Sequence, residues 1–587
     1  MCIRDSGKWI EGPALDWESM PARVEAVIAE RVGRLEQPLQ DILRVASVEG
    51  ETFTAEVAAQ VLGFDQREVV QHLGTELERT HNLVQVHAIR ALGSRQMSRY
   101  RFKHYLCQKY VYDSMDEVER TYLHKDVGAA LESFYSTEEQ DLPAFAPQLA
   151  RHFQQARVSE KAVHYLYLSG KKAVQLSAYQ EALLHLDHGL ELLLTLPDSP
   201  WRAEQELDLQ ITIGMAWMGI EGTISPRLET AYTRARDLCL ELGDNYNLCR
   251  VLHELGTIHF VRAEPNKAYK IAEELLDHAN STGDPMMVSL GNWLFGIILF
   301  DLGEYAASHE HLRKVIDKYH PDQHQEFLIL RGCDGGLSSM GYDTCNLWCL
   351  GYPDQAQEYG QHAIALAREL GHPFSLADVL CYAGCEFSSI RLDAKMLQYH
   401  AEELEQLSIE KGLFWRGLAT WFQAQVPGMM GNYEQGIERM RQSLAEMQSI
   451  SDYSSTLGTL AALASALVGS GQPEVGLETL AEAFDFVEKT GLGHWVAELY
   501  RLQGEIFITL GDEAGGEISL NKAISTARGQ SARSWELRAA TDLANLMKNQ
   551  ARLEEAKTLL GGIYGWFTEG FNTPDLIRAK TLLDELG

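Results

Sequence analysis

Small residues recur at a fixed interval of 40 positions along much of this chain, and this repeat constrains the fold more than any other feature. The series consists of Gly256, Gly296, Gly384, Ala424, Ala464, Gly504 and Ala544. The gap of 88 between Gly296 and Gly384 fits one repeat stretched to 48, with Thr344 at the marker position. A fixed period of this length is typical of a protein built from stacked copies of one supersecondary unit.

A second small residue follows the first by 12 positions in most copies. The pairs are Gly170–Ala182, Gly256–Ala268, Gly296–Ser308, Thr344–Ala356, Ala424–Gly436, Ala464–Gly476, Gly504–Gly516 and Ala544–Ala556. Residues that break helices lie between the two members, and both flanks show the apolar spacing of a helix face. We therefore predict that each copy of the repeat folds into a hairpin of two helices, which cross closely at the small residues. Gly384 is the exception, because Met396 lies 12 positions after it.

This device resembles the tetratricopeptide repeat, whose hairpins also carry two small positions 12 apart and are usually 34 residues long. We therefore predict an all-α chain in which residues 158–563 form a tetratricopeptide-like solenoid of longer helices. Stacked hairpins of this kind bury one another's apolar stripes and leave a concave face. Residues 564–587 are predicted to form the C-terminal cap, with a polar outer face, that such arrays require.

The first part of the chain has a different pattern. Alternation of side-chain character at 83–87 and 98–102 indicates a β-hairpin that follows several helices, one of which has Thr54 as its candidate N-cap. We therefore predict that residues 15–104 form a small winged-helix module and that residues 105–157 form a helical connector. Residues 1–14 are interpreted as an unstructured or artefactual leader.

Several segments resemble bacterial signal-transduction ATPases with numerous domains, in which an AAA-type nucleotide-binding domain precedes a winged helix and a superhelical sensor. The resemblance covers about residues 15–587, and the segments that carry it are 43–53, 100–104, 119–124, 351–356, 372–377, 497–504 and 564–576. The last segment is the most specific, and is similar to the C-terminus of proteins that place a class III adenylate or guanylate cyclase ahead of the ATPase. The resemblance implies a sensor whose groove binds a protein, peptide or small effector and thereby relieves autoinhibition of the upstream ATPase.

The phosphate loop of that family, GxxxxGK[ST], is absent from this sequence. The nearest match, Ser169-Gly170-Lys171-Lys172, lacks the leading glycine and falls in a repeat helix. We therefore predict a chain that is not an enzyme and has no catalytic, cofactor-binding or metal site, with ATP expected only in an upstream domain. Two alternatives remain open, a stand-alone tetratricopeptide scaffold and a fragment of a transcriptional activator. The sequence does not identify the ligand-binding residues.

Composition narrows the choice of partner and compartment. The chain has 51 Lys and Arg against 83 Asp and Glu, a net charge of −32, which argues against nucleic-acid binding. The basic side chains of the predicted wing could contact phosphates, but the module is acidic as a whole: Arg90, Arg95, Arg99, Arg101 and Lys103. Apolar runs are too short to span a membrane, and nine cysteines do not make a disulfide scaffold, so a cytoplasmic location is expected.

Two groups of residues, one of cysteines and one of histidines, could in principle bind a metal ion. Cys345 and Cys349 share a helix face, as do Cys381 and Cys385, with Cys333 nearby, but zinc sites favour tight CxxC turns, so buried packing is the preferred interpretation. Four histidines are interpreted as solvated residues of a turn: His309, His311, His320 and His324.

Acidic pairs, a serine pair and the tryptophans complete the candidates. Two acidic clusters are interpreted as solvated helix faces: Glu402, Glu403 and Glu405, and Glu554 and Glu555. Ser338 and Ser339 do not form a GxSxG elbow, and the surrounding stretch, 335–341, is interpreted as a glycine-rich break. The recurrent tryptophans are assigned mostly to hairpin cores, with ligand stacking in the groove as the alternative: Trp217, Trp293, Trp348, Trp415, Trp421, Trp495 and Trp535.

Overall fold

The structure, a computed structural model, describes residues 2–5, 8–11, 22–92, 95–135, 142–413, 415–450 and 455–587. The chain divides into two units, Met1–Ile220 and Glu221–Gly587. Each unit is described by itself.

The first unit begins with strands where a leader was expected. Strand β1 (Cys2–Asp5) pairs antiparallel with β2 (Lys8–Glu11), and the register sets Ile3 opposite Ile10 and Asp5 opposite Lys8. Part of the segment predicted to be unstructured therefore forms two paired strands. The rest of residues 1–14 lies outside the described residues.

The next elements contain the predicted β-hairpin and one unpredicted strand. They are α1 (Ala22–Gly33), α2 (Gln37–Glu49), β3 (Thr52–Thr54), α3 (Ala55–Leu62), α4 (Gln66–Gln71) with its π-helical continuation His72–Thr80, β4 (Val84–Leu92) and β5 (Arg95–Phe102). The sheet is antiparallel with the order β3-β5-β4. The hairpin prediction is confirmed, although its turn residues Gly93 and Ser94 lie outside the described residues.

Thr54 occupies the N-cap position of α3 but does not cap the helix with its side chain. Its Oγ1 donates to Glu49 Oε1 at 2.7 Å, and its backbone N–H donates to Glu49 Oε2 at 3.0 Å. Burial raises the pKa of the Glu49 carboxyl to about 7, against the opposing effect of these two bonds. Thr54 therefore ties β3 to the end of α2.

Helices continue from there to the end of the first unit. They are α5 (Tyr105–Asp113), α6 (Glu117–Tyr135), α7 (Leu142–Gln155), α8 (Ser159–Gln175), α9 (Tyr179–Leu194) and α10 (Pro200–Glu221). His124 of α6 and His152 of α7 are buried, with their Nδ1 atoms 2.9 Å apart. Burial lowers the pKa of both imidazoles, that of His124 to about 4, so both are neutral at physiological pH.

The second unit is a succession of helical hairpins. Its helices are α11 (Pro226–Leu242), α12 (Asn245–Val261), α13 (Pro265–Thr282), α14 (Pro285–Asp301), α15 (Tyr305–Ile316), α16 (His324–Arg331), α17 (Gly335–Cys349), α18 (Pro353–Leu370), α19 (Pro373–Val379), α20 (Phe387–Ile390), α21 (Ala394–Lys411), α22 (Arg416–Met429), α23 (Tyr433–Ile450), α24 (Thr456–Gly469), α25 (Pro473–Thr490), α26 (Val496–Thr509), α27 (Glu513–Gly529), α28 (Arg533–Asn549), α29 (Leu553–Tyr564) and α30 (Pro574–Leu586). A 3₁₀ turn (Pro321–Gln323) precedes α16, and a π-helical segment (Leu380–Glu386) joins α19 to α20. The array is a tetratricopeptide-like solenoid, as predicted. None of the described helices has an apolar stretch long enough to cross a bilayer.

The small residues lie where the two helices of a hairpin cross, as predicted. A Cβ placed on Gly504 of α26 would lie 3.1 Å from the carbonyl oxygen of Gly516 on α27, and the converse distance is also 3.1 Å. In another hairpin, Ser308 Oγ donates to the carbonyl of Gly296 at 2.7 Å. Backbones approach this closely because neither partner carries a bulky side chain.

The stretched repeat has an inserted turn and helix instead of the predicted glycine-rich break. The 3₁₀ turn and α16 account for the added length, and the glycines of 335–341 lie inside α17. Asp334 caps this helix by accepting from the N–H of Gly336 at 2.9 Å. A Cβ on Gly336 would lie 2.1 Å from the Tyr319 ring, so the glycine is needed for ring packing and the break prediction is wrong.

The close crossing of the hairpin helices predicts that two Gly→Ala substitutions at different positions have opposite effects on stability. Gly504→Ala sets a methyl 2.7 Å from Leu520 Cγ and should destabilise the second unit by about 1–3 kcal/mol through overpacking. Gly562→Ala, on α29 with no atom within 4 Å of the new Cβ, should stabilise it by up to roughly 1 kcal/mol through helix propensity. Urea denaturation of both variants measures the effect. Equal shifts of both midpoints would contradict the crossing geometry.

Candidate recognition site

The array of the second unit contacts itself across a long sequence separation. The N–H of Gly493 donates to the carbonyl of Asp301 at 2.7 Å, and the Tyr305 hydroxyl donates to the carbonyl of His494. Ser534 Oγ of α28 donates to the carbonyl of Trp348 at the end of α17. We call these bonds the closing contacts. They join hairpins about five repeats apart, given the 40-residue period.

Tryptophans reinforce the closing contacts. The Trp348 and Trp535 rings lie edge to face with centroids 4.9 Å apart, and Trp495 lies 5.5 Å from Trp535. The Arg538 guanidinium lies 4.9 Å from the Trp348 centroid and 5.1 Å from that of Trp535. These three tryptophans were assigned to cores of single hairpins, and that assignment is incomplete because they pack between hairpins distant in sequence. Trp293 and Trp421 are buried within their own part of the array.

The C-terminal segment also contacts the middle of the array. The Glu569 carboxylate accepts from the backbone N–H groups of Asp354 and Gln355, both at 3.0 Å, at the first turn of α18. A carboxylate at this position satisfies free N–H groups and complements the helix dipole. Helix α30 buries Leu576 and Leu582 against α28 and α29. Whether residues 564–587 act as a cap stays a prediction.

A small cavity, which we call the inner chamber, lies beside the closing contacts. It is lined by Phe260, Phe300, Asp301, Cys381, Tyr382, Glu386, Leu418, Phe422, Ser455 and His494. These residues come mainly from the first helices of successive hairpins and from the π-helical segment. The cavity volume is about 20 Å³, enough for one water-sized group.

Two carboxyl groups face the inner chamber, and none of the described residues that line it is a lysine or an arginine. Burial, followed by the charge of Glu386, raises the pKa of Asp301 well above its ordinary value. Burial also raises the pKa of Glu386 to about 7, although a hydrogen bond from Trp495 opposes the shift. Burial lowers the pKa of His494 to about 4, so this imidazole is neutral and does not neutralise the acids. The inner chamber therefore favours either protonated carboxyls or a bound cation.

Several aromatic side chains line the same cavity as the two carboxyls. The Phe300 centroid lies 5.6 Å from that of Tyr342 and 5.8 Å from that of His494. Tyr342 stacks on Tyr382 with centroids 3.8 Å apart. Rings around a carboxylate pair combine electrostatic attraction for a cation with the cation–π interaction. The inner chamber thus combines two carboxyls and aromatic rings with no basic side chain among its described lining residues.

The cysteines considered as metal ligands are buried packing residues. All five of Cys333, Cys345, Cys349, Cys381 and Cys385 are buried, and desolvation raises their thiol pKa values. No group of three or more His, Cys, Asp or Glu side chains that could hold a metal ion occurs among the described residues.

The four histidines of the stretched repeat have different environments. His320 is exposed, as interpreted from the sequence. His324 is buried, with Nδ1 2.6 Å from Asp334 Oδ2, so its assignment to a solvated turn is wrong. His309 Nδ1 lies 2.6 Å from Asp343 Oδ1, and His311 Nδ1 lies 2.9 Å from Asn292 Oδ1. Periodicity did not show these partners because they lie on other helices.

The acidic clusters lie on helix faces. Glu403 of α21 forms a two-oxygen contact with Arg368 at 2.7 Å, and Glu402 accepts from Gln398 at 2.7 Å. Glu405 accepts from Gln423 at 2.9 Å. On α29, Glu554 is exposed and Glu555 pairs with Arg552. Two further candidates, Ser338 and Ser339, are buried inside α17.

Sequence reasoning did not single out Asp301, Glu386 or His494. One signal was available for Glu386, because it lies two residues after Gly384, the marker that breaks the spacing rule. Asp301 and His494 become neighbours only through the closing contacts, for which a local repeat pattern carries no information.

Comparison with known proteins yields distant similarities. No family model matches the chain. An uncharacterized protein of Rhizobium meliloti (strain 1021) is 22% identical over 546 residues, which are 90% of this chain and 50% of that protein. The chain therefore spans about half the length of the curated relative it matches.

Similar solved structures include three helical-repeat proteins. A Rap protein complexed with Competence and Sporulation Factor has 14% identity and a TM-score of 0.44, over 64% of this chain and 99% of that chain. A signal-transduction ATPase with numerous domains and a tetratricopeptide repeat sensor, from Pyrococcus horikoshii, has 13% identity and a TM-score of 0.33, over 87% and 66%. The APC/C hetero-tetramer Cut9-Hcn1 has 14% identity and a TM-score of 0.37, over 80% and 94%. These values are too low to argue a shared function, and the fold assignment rests on the hairpins of this chain.

The raised pKa of Glu386 predicts a pH dependence of stability. A carboxyl whose pKa is higher in the folded chain contributes stability that is fully present below its ordinary pKa of 4.5 and is lost as pH rises through about 7. Glu386→Gln should therefore reduce the fall in unfolding temperature between pH 5 and pH 8. Glu402→Gln, an exposed carboxyl on α21, is the control and should follow the unsubstituted chain. Parallel pH profiles for Glu386→Gln and the unsubstituted chain would contradict the burial of this acid.

Proposed function

We propose that this chain is a non-catalytic recognition region whose helical-repeat array binds a basic segment of a protein or peptide partner at the inner chamber. The observation that carries the proposal is the pair of carboxyls, Asp301 and Glu386, which share a cavity with aromatic rings and with no lysine or arginine among the described lining residues. Tetratricopeptide-like solenoids present such inner surfaces to partners, which supports a role in protein interaction or sensing.

The inner chamber is so small that only the end of a partner's side chain could enter it. A space for one water-sized group fits a single ammonium, such as that of lysine or a chain N-terminus. An ammonium is a compact point charge with three donors, which can bond both carboxylates at once. Binding would keep both acids ionised and thereby offset the cost of burying them.

We further propose that the array is the sensor of a signalling ATPase whose nucleotide-binding domain, together with a cyclase domain, belongs to a longer parent protein. The support is the resemblance of residues 15–587 to that architecture, together with a relative about twice as long as this chain. Helices α1–α4 and the sheet β3-β5-β4 occupy the part of the chain where the resemblance expects a winged helix. In this proposal the module transmits ligand binding from the array to the ATPase.

The ammonium site is tested with a minimal probe. N-acetyl-lysine methylamide should raise the unfolding temperature of the full chain at pH 7.5, and its norleucine counterpart should not, because only the former carries the charge. In Glu386→Gln, the concentration of the lysine probe that gives half of the rise in unfolding temperature should be at least tenfold higher. In the exposed control Glu402→Gln this concentration should be unchanged. Equal responses to both probes, or an unchanged response in Glu386→Gln, would reject the site.

The sensor proposal is tested on the parent protein. The DNA upstream of the Gly7 codon should continue in frame through a GxxxxGK[ST] motif. In that longer protein, Glu386→Gln should change the basal or ligand-stimulated nucleotide turnover severalfold, because it alters the sensor site, and Glu402→Gln should not. An in-frame stop codon upstream of Gly7, with no phosphate-loop motif between the two, would favour the stand-alone scaffold. Nucleotide turnover that is the same with and without Glu386→Gln would reject the coupling.

A further inference from the structure

A second cavity, which we call the outer pocket, lies on the other side of the π-helical segment. It has a volume of about 160 Å³ and lies between α18 and α21, with the π-helical segment and α20 beneath it. This is the repeat in which Met396 replaces the expected small residue, and Met396 itself lines the pocket. π-helical turns within α-helices occur frequently at functional sites.

The outer pocket holds an arginine with donor capacity to spare. Arg391 Nη1 donates to Gln357 Oε1, and the nearest ion-pair contact, from Nη2 to Asp393 Oδ2, is 3.8 Å, which is beyond hydrogen-bond distance. The guanidinium lies 4.7 Å from the Phe387 centroid, and 22% of the side chain is exposed. Burial lowers the pKa of this guanidinium, since the partners do not fully replace its lost hydration.

A buried histidine forms another wall of the outer pocket. His400 is 9% exposed, and its Nδ1 has no hydrogen-bond partner among the described residues. A Cβ on Gly384 would lie 2.9 Å from His400 Cγ, so the glycine makes room for the imidazole. His400 therefore occupies beside Gly384 the position that Leu312 occupies beside Gly296 and Leu520 beside Gly504, each 16 residues after its glycine. A buried polar atom of this kind costs free energy unless a partner satisfies it.

We propose that the outer pocket binds a small organic monocarboxylate, with its carboxylate on Arg391 and its apolar body against Ile364, Phe387 and Met396. The planar guanidinium matches a carboxylate in two-point contact. Arg368 also lines the pocket but is paired with Glu403 at 2.7 Å, and Asp393 lies 3.8 Å from Arg391, so the lining supplies little uncompensated positive charge for a doubly charged phosphate. The cavity volume limits the ligand to about the size of a single aromatic ring, comparable to engineered cavities that bind benzene. This proposal does not rest on the proposed function.

Benzoate is the probe, with benzamide as its neutral counterpart. In isothermal titration of the full chain, benzoate should bind at least tenfold more tightly than benzamide, and inorganic phosphate should bind less tightly than benzoate. Arg391→Gln should abolish the preference for benzoate over benzamide. Met396→Trp, which fills the cavity from its partly exposed rim, should weaken both probes at least tenfold.

Arg552→Gln is the matched control, because this arginine is paired with Glu517 and Glu555 on a distant hairpin. It should bind benzoate like the unsubstituted chain. Circular dichroism of each variant without ligand verifies folding, and the two pocket variants act by different means, so misfolding of one leaves the other as a test. Equal affinity for benzoate and benzamide, tighter binding of phosphate, or unchanged benzoate binding in a folded pocket variant would overturn the proposal.

Discussion

The backbone contact between Gly493 and Asp301 is the constraint on which much of the second unit depends. A Cβ on Gly493 would lie 2.0 Å from the carbonyl oxygen of Leu302, so a larger residue would separate the two parts of the array. Helices α14 and α17, which carry Asp301 and Trp348 of the closing contacts, are buried on nearly all sides. Their near-continuous apolar or small residues are typical of a helix that meets protein in every direction. The inner chamber exists because the same contact brings His494 against the first helices of earlier hairpins.

The fold of each hairpin was predictable from the sequence because it depends on residues that are close together in the chain. The pair Gly504 and Gly516 marks a helix crossing within one hairpin, and the structure places both at that crossing. The closing contacts join residues about five repeats apart, and no periodic pattern specifies which distant surfaces meet. For the same reason Trp535 was assigned to one hairpin although it packs against Trp348 of another. Glycines at 335–341 indicated a break, but a Cβ on Gly335 or Gly336 would collide with the ring of Trp293 or Tyr319.

Removing a carboxylate from water is expensive, and two half-buried carboxyls share the inner chamber. Asp301 and Glu386 lie among aromatic rings, and His494 is neutral beside them. Hydrophobic residues of similar volume would stabilise the fold better than two acids that no lysine or arginine of the described lining neutralises. Places where a sequence departs from the most stable choice are frequently functional. The contrast with Arg501 is informative, because that buried arginine is compensated by Glu498 and Asp542, both at 2.7 Å, and needs no ligand.

One segment forms a wall of both cavities. Cys381, Tyr382 and Glu386 line the inner chamber, whereas Ala383 and the adjoining Phe387 line the outer pocket. A π-helical turn carries an extra residue relative to an α-helix, so a change in its width rotates the side chains on both of its faces. The same helical segment therefore positions the carboxyl of Glu386 in one cavity and the ring of Phe387 in the other.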